Sequence, residues 1–207
     1  MRASYLLCAC VLGGALGLAQ APQTAAPNTP PTAAPNKEAD EVTTYCTSVN
    51  DYKHDATPQL FADAGDQPKP MWRRVGTERE LESLTEAQFA HAFTARAWLK
   101  NGKVVAVDSD ADTRSGDWGL AAEYCFREDG TLAALHSEFR NESDDYVAIR
   151  DESFDAAGAT IASTSQIFDT RTHKPKKLNK QAAANEQRAP VYHKAADLPF
   201  FRLIKTQ

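Results

Sequence analysis

The sequence predicts an α+β domain: a curved antiparallel sheet of about six strands in meander order, with short N-terminal helices packed on it. Three observations carry that expectation. Turn dipeptides recur through the middle of the chain, at Asn101-Gly102 and Asp129-Gly130, between segments rich in strand-forming residues. The intervening segments alternate apolar and polar with a period of two, most plainly at Trp118, Leu120, Ala122, Tyr124 and Phe126. An aromatic four residues ahead of a glycine occurs at Phe126/Gly130 and again 28 residues later at Phe154/Gly158, as two hairpins in succession would require.

The expected strands are residues 89–100, 103–109, 118–128, 131–140, 146–154 and 160–169. Asn-Gly favours the tight two-residue type I′ turn because both positions need positive φ. That turn sets Lys100 opposite Lys103, Leu99 opposite Val104 and Trp98 opposite Val105. The same logic at Asp129-Gly130 pairs Phe126 with Ala133, Tyr124 with Leu135, Cys125 with Ala134 and Glu123 with His136. A third turn at residues 156–159 joins the last two strands. Residues 86–97 also carry Phe89, Phe93 and Ala97 at helical spacing, and Asn-Gly caps helices as readily as it turns strands. A strand from about Phe89 is expected there, because Val104–Val107 needs a neighbour. Upstream, Thr77-Glu-Arg-Glu80 fits a capping box ahead of Leu81 and Leu84. From Glu41, residues Val42, Tyr45, Cys46, Val49 and Tyr52 fall at helical spacing.

The domain is expected over residues 41–207. Residues 1–19 read as a signal peptide: Arg2, an apolar run from Tyr5 to Leu18, and small Gly17 and Ala19 ahead of the cut. The run is shorter than the roughly 18–20 residues that cross a bilayer, so no transmembrane span is expected in the mature chain. Leu7-Cys8-Ala9-Cys10 loosely mimics a lipidation signal, but the apolar run continues beyond it. Residues 20–40 form a Pro/Ala-rich tether with almost nothing to bury, which predicts a disordered linker. Two cysteines are left, Cys46 and Cys125, expected to form a disulfide in a protein that has left the cytoplasm. That bridge would lay the first helical segment across the sheet face opposite the Trp118 stripe. The closing segment Leu198–Ile204 is apolar enough to pack back onto the domain.

A net charge of −5 with 25% charged residues excludes collagen-like, coiled-coil and fully disordered chains, and offers no basic excess for specific nucleic-acid binding. Asp108, Asp110 and Asp112 alternate as calcium-loop oxygens do, but Thr113 and Gly119 stand where such a loop needs its glycine and its glutamate. They read first as a solvated acidic loop, with calcium as the alternative. Glu123 and His136, as cross-strand neighbours, have the makings of a carboxylate-oriented general base. No nucleophile motif accompanies them, so solvent-facing polar residues explain the pair equally well. His54, His91, His173 and His193 are scattered, and no cofactor or phosphate-binding motif is present. Arg171, Lys174, Lys176, Lys177 and Lys180 form an acid-free basic run able to meet a protein partner or an anionic cell-envelope polymer.

Ser115-Gly-Asp-Trp118 followed by Glu123-Tyr-Cys-Phe-Arg-Glu-Asp-Gly-Thr-Leu132 resembles a hairpin of uncharacterised exported bacterial β-sheet proteins. The closing Pro190-Val-Tyr192 and Asp197-Leu-Pro-Phe200 resemble them too. The resemblance implies an exported sheet domain and no activity. The expectation is therefore a periplasmic or secreted, non-enzymatic binding module, with a small hydrolase using His136 and Glu123 as the alternative.

Overall fold

A computed structural model of the chain describes residues 36–63, 71–87, 91–113 and 115–206. The expected leader and residues 20–35 of the tether lie outside the described residues, as do Phe89 and the side chain of Leu84. The order of elements is α1 (Lys37–Asp55), β1 (Gln59–Asp63), β2 (Trp72–Val75), α2 (Glu78–Ala87), β3 (His91–Lys100), β4 (Lys103–Thr113), β5 (Trp118–Phe126), β6 (Leu132–Asn141), β7 (Tyr146–Phe154), β8 (Thr160–Asp169) and α3 (Lys180–Asn185). Two 3₁₀ turns follow, at Ala195–Asp197 and Phe201–Leu203.

All the strands belong to one antiparallel sheet in the order β2-β1-β3-β4-β5-β6-β7-β8. The expectation of six strands is thus wrong: there are eight among the described residues. The two additional ones, β1 and β2, are five and four residues long and are joined by no tight turn dipeptide. The helical spacing that starts at Val42 ends with α1 at Asp55, and β1 follows from Gln59. The expected meander holds for β3 to β8, and β7 and β8 have the anticipated bounds.

The first helix is not short. It runs for 19 residues and begins at Lys37, ahead of the expected domain boundary, because the Asn36 side chain caps it by accepting the Ala39 N–H. At α2 the Thr77 hydroxyl accepts the Glu80 N–H, and the Glu80 carboxylate reaches back to the Gly76 N–H. This is the capping box shifted by one donor.

The hairpins close in two ways. Asn101 and Gly102 both have positive φ, 53° and 75°, as a type I′ turn requires. Asp129-Gly130 closes differently from the expected two-residue turn. The Gly130 N–H donates to the Arg127 carbonyl, and the Arg127 N–H to the Thr131 carbonyl, with positive φ only at the glycine. The Asp155–Ala159 turn repeats this pattern around Gly158.

A β-bulge follows each turn. Trp98 pairs with Ala106, Cys125 with Ala134 and Ser153 with Ala162, while Leu99 pairs with Val104, Phe126 with Leu132 and Phe154 with Thr160. The extra residues are Val105, Ala133 and Ile161, so the expected Trp98–Val105 and Phe126–Ala133 pairs do not form. A bulge sets two residues against one, so consecutive side chains share a face. Here Val105 with Ala106, and Ala133 with Ala134, meet α1 together.

One face of the sheet carries α1, whose Val42 and Val49 pack with Trp98, Val105, Ala106 and Ala133. The Tyr45 and Tyr52 hydroxyls donate to the carbonyls of Phe126 and Leu99, and Trp98 Nε1 donates to the Ala56 carbonyl. The expected disulfide joins Cys46 of the helix to Cys125 of β5. The opposite face bears the Trp118–Phe126 stripe, covered by α3 and by a strap running from Glu186 to the C-terminal segment. Phe200 of the strap stacks on Phe61 at 4.6 Å and leans on Trp72 at 4.9 Å. Phe61, Phe126, Phe154 and Tyr146 are fully buried, each worth about 1.5–3 kcal/mol of transfer free energy.

Candidate functional site

Three of the residues singled out in the sequence, Asp108, Glu123 and His136, come together on the α1 face, in one row across the sheet. The register runs Arg96, Asp108, Glu123, His136, Asp151, Thr164 from β3 to β8. Period-two alternation puts all six side chains on one face, just beyond the apolar platform under α1. Lys53, in the last turn of α1, reaches into the row. Its ammonium donates to Asp108 at 2.6 Å, approaches Glu123 at 3.4 Å and lies 4.9 Å from the centre of the Trp98 ring.

His136 and Glu123 are cross-strand neighbours, but the imidazole does not bond to Glu123. Its Nδ1 lies 2.7 Å from Asp151 Oδ1, and Thr164 donates to the other oxygen of the same carboxylate. Both His136 and Asp151 are exposed. None of the three cavities described in the molecule is lined by His136, Glu123 or Asp151. The two candidates therefore lie in an ion-pair row apart from those three cavities.

Asp108, Asp110 and Asp112 are not in a loop: β4 continues through them to Thr113. At alternate strand positions they share a face without converging on one point, and two of them take basic partners. Asp108 is held by Lys53, and Asp110 lies 3.3 Å from Arg96, which also grips Glu78 of α2. Asp112 lies over Gly119, where the missing side chain leaves room for it beside Arg140. Burial raises the Asp108 and Asp110 carboxyls above the ordinary carboxylate range, against the pull of Lys53 and Arg96. Among the described residues no group of three or more His, Cys, Asp or Glu is placed to hold a metal ion.

The basic run is divided. Arg171 is a two-pronged partner of Asp145, at 2.9 and 2.6 Å. Lys176 donates to the carbonyls of Asp144 and Asp145 and to the Asp169 carboxylate. These two build the corner after β8, whereas Lys174, Lys177 and Lys180 stand exposed.

One concave feature lies on the other face. Between β3–β5 and the strap is a cavity of about 110 Å³, walled by Trp72, Leu120, Tyr124, Tyr192, Leu198 and Phe200. Ala111 and Ala122 form its floor, and these small side chains leave the space that larger ones would fill. Tyr124 donates to the Pro190 carbonyl at 2.9 Å, which ties the strap across the opening. Burial raises both the Tyr124 and Tyr192 hydroxyls from the ordinary phenol value, Tyr124 the further. At its upstream end the strap is anchored by Glu186, which accepts from Nε of the Arg150 guanidinium at 3.1 Å and from Nη2.

Sequence reasoning did not find this cavity. Its walls come from β2, which was missed, and from a strap whose return was expected but whose landing place was not. The alternation of Leu120, Ala122 and Tyr124 showed which face needed cover, and the alanine within it is the one local sign of a gap. Compared with family models, curated proteins and solved structures, the chain matches none.

Proposed function

We propose that the protein is an exported, non-enzymatic binding module, periplasmic or secreted by a bacterium, that takes a small apolar ring of its ligand into the groove beneath the strap. The observation that carries this reading is the aromatic-walled cavity of about 110 Å³. An engineered apolar cavity of about 150 Å³ holds benzene, so this space suits one ring. The Tyr192 hydroxyl at the wall offers a donor to a polar substituent on that ring. Export is supported by the leader-like residues 1–19 and by the Cys46–Cys125 bridge.

The test is a titration of the full chain with benzene, phenol and indole, followed by thermal midpoint and by amide shifts. Binding raises the midpoint, by about 2.7 kcal/mol of stabilisation at a ligand concentration 100 times Kd. Shifts should cluster on β4, β5 and the strap, and Ala111→Leu, which fills the floor, should abolish them. Shifts spread over the surface, or unaffected by Ala111→Leu, would refute the groove.

A further inference from the structure

The two edges of the sheet are not alike. The β2 edge carries two exposed arginines, Arg73 and Arg74, among its four residues. Edge strands are commonly protected by charges, prolines or bulges, because unpaired backbone groups invite another strand. The β8 edge has no such charge: from Thr160 to Phe168 the sequence holds neither a charged residue nor a proline.

Among the described residues, the chain closes both ends of this edge and leaves its middle open. At one end the Asn36 side chain donates to the Ile161 carbonyl at 2.9 Å. At the other, Lys176 N–H donates to the Ile167 carbonyl, and Pro175 bridges Phe168. The Ile167 carbonyl thus faces away from β7, so by the period of two the backbone groups of Ser165 and Ser163 do so as well. Residues 163–166 are all exposed, and no described residue takes the outward groups of Ser163 and Ser165. Where the pairing by residues 174–176 stops, Lys177 follows directly, with Lys174 and Lys180 exposed on either side of it in sequence.

We propose that the open middle of the β8 edge binds an extended acidic segment of a partner protein, which adds a strand beside Ser163–Ser165 and sets its carboxylates against Lys174 and Lys177. Backbone pairing supplies the fit, and the lysines choose the charge. This assigns a partner to the part of the basic run that the fold does not use. A polyanion alone would have no use for the uncharged edge.

The probe is a short fluorescent peptide of alternating Val and Thr ending in paired glutamates, compared with the same peptide ending in paired lysines. Anisotropy on the full chain should show the acidic peptide binding at least about tenfold tighter, equal to about 1.4 kcal/mol. The difference should vanish in Lys174→Glu/Lys177→Glu. Ser165→Pro removes an outward N–H while leaving the β7 ladder intact, and should abolish binding of both peptides. Amide shifts of Ser163 and Ser165 in the unaltered protein give a second readout that needs no variant. Equal binding of the two peptides, shifts elsewhere, or equally tight binding of polyglutamate lacking Val and Thr overturns the proposal. So does a dimer in sedimentation that Ser165→Pro dissolves, since the occupant would then be a second copy.

Discussion

Replacing both Cys46 and Cys125 by alanine should destabilise the whole sheet and not merely release the helix. The bridge closes a loop of 79 residues, worth about 4–5 kcal/mol in the chain-entropy treatment, and measured losses run nearer 2–4 kcal/mol. For a domain of this size each kcal/mol moves the midpoint by about 2–4 °C, so a fall of roughly 5–15 °C is expected. The folded state should survive the change. Val42 and Val49 remain buried against the bulge platform, and the Tyr45 and Tyr52 hydroxyls keep their carbonyl partners. The loss therefore comes from a freer unfolded chain. Urea denaturation of the double variant, followed by far-ultraviolet dichroism, measures it, and hydrogen exchange locates it. Amides of β4 and β5 should lose protection by the same free energy as the global transition. Two results would refute the reasoning: a loss below about 1 kcal/mol, or lost protection confined to α1 with the sheet unchanged.

The strap depends on a buried ion pair, with the Arg150 and Glu186 side chains only 19% and 9% exposed. Arg150→Met should cost about 3 kcal/mol in urea denaturation by stranding the Glu186 carboxylate, while Arg150→Met/Glu186→Leu should recover most of it. A double variant as unstable as the single one would contradict this. Asp169 gives a pH dependence. The Thr172 N–H and hydroxyl, followed by the Lys176 ammonium, hold its carboxyl down at about 2. A depressed carboxyl adds stability that is fully present above the ordinary Asp pKa of about 3.9 and is lost as the pH falls from there toward 2. Direct titration of the Asp169 carboxyl by NMR should give that low midpoint, and Asp169→Asn should flatten the acid limb of stability over that window. A midpoint near 4 would show that the corner after β8 does not hold the carboxylate as described.

Much of the sheet was legible because its signals are local. Gly102, Gly130 and Gly158 mark their turns through backbone freedom that nearby residues do not alter, and the alternation in β5 follows from the pleat alone. Glu123 and His136 were paired correctly because two departures cancel: the turn holds Glu128, Asp129 and Gly130, one residue more than expected, and the extra residue Ala133 shifts the register back. The same bulge spoiled Phe126–Ala133, since an inserted residue answers to sheet twist and to α1 above it. Strands β1 and β2 escaped because Gln59–Asp63 and Trp72–Val75 are too short to show a period. β1 is a strand because β3 offers it an edge, and β2 because β1 then offers another.

The sequence by itself determined the hairpin meander, the sidedness of its central strands and the pairing of Cys46 with Cys125. Each depends on turn chemistry, the two-residue pleat, or there being only two cysteines to join outside residues 1–19. Tertiary structure alone decided what the charged candidates do. His136 turns to Asp151 instead of Glu123, Asp108 and Asp110 are held by Lys53 and Arg96, and the basic run is split between a corner and an exposed flank. It alone also made the groove, by landing the strap on Phe61 and Trp72 over a floor of alanines. Those outcomes depend on which distant groups arrive within a few ångströms, and no local pattern encodes that distance.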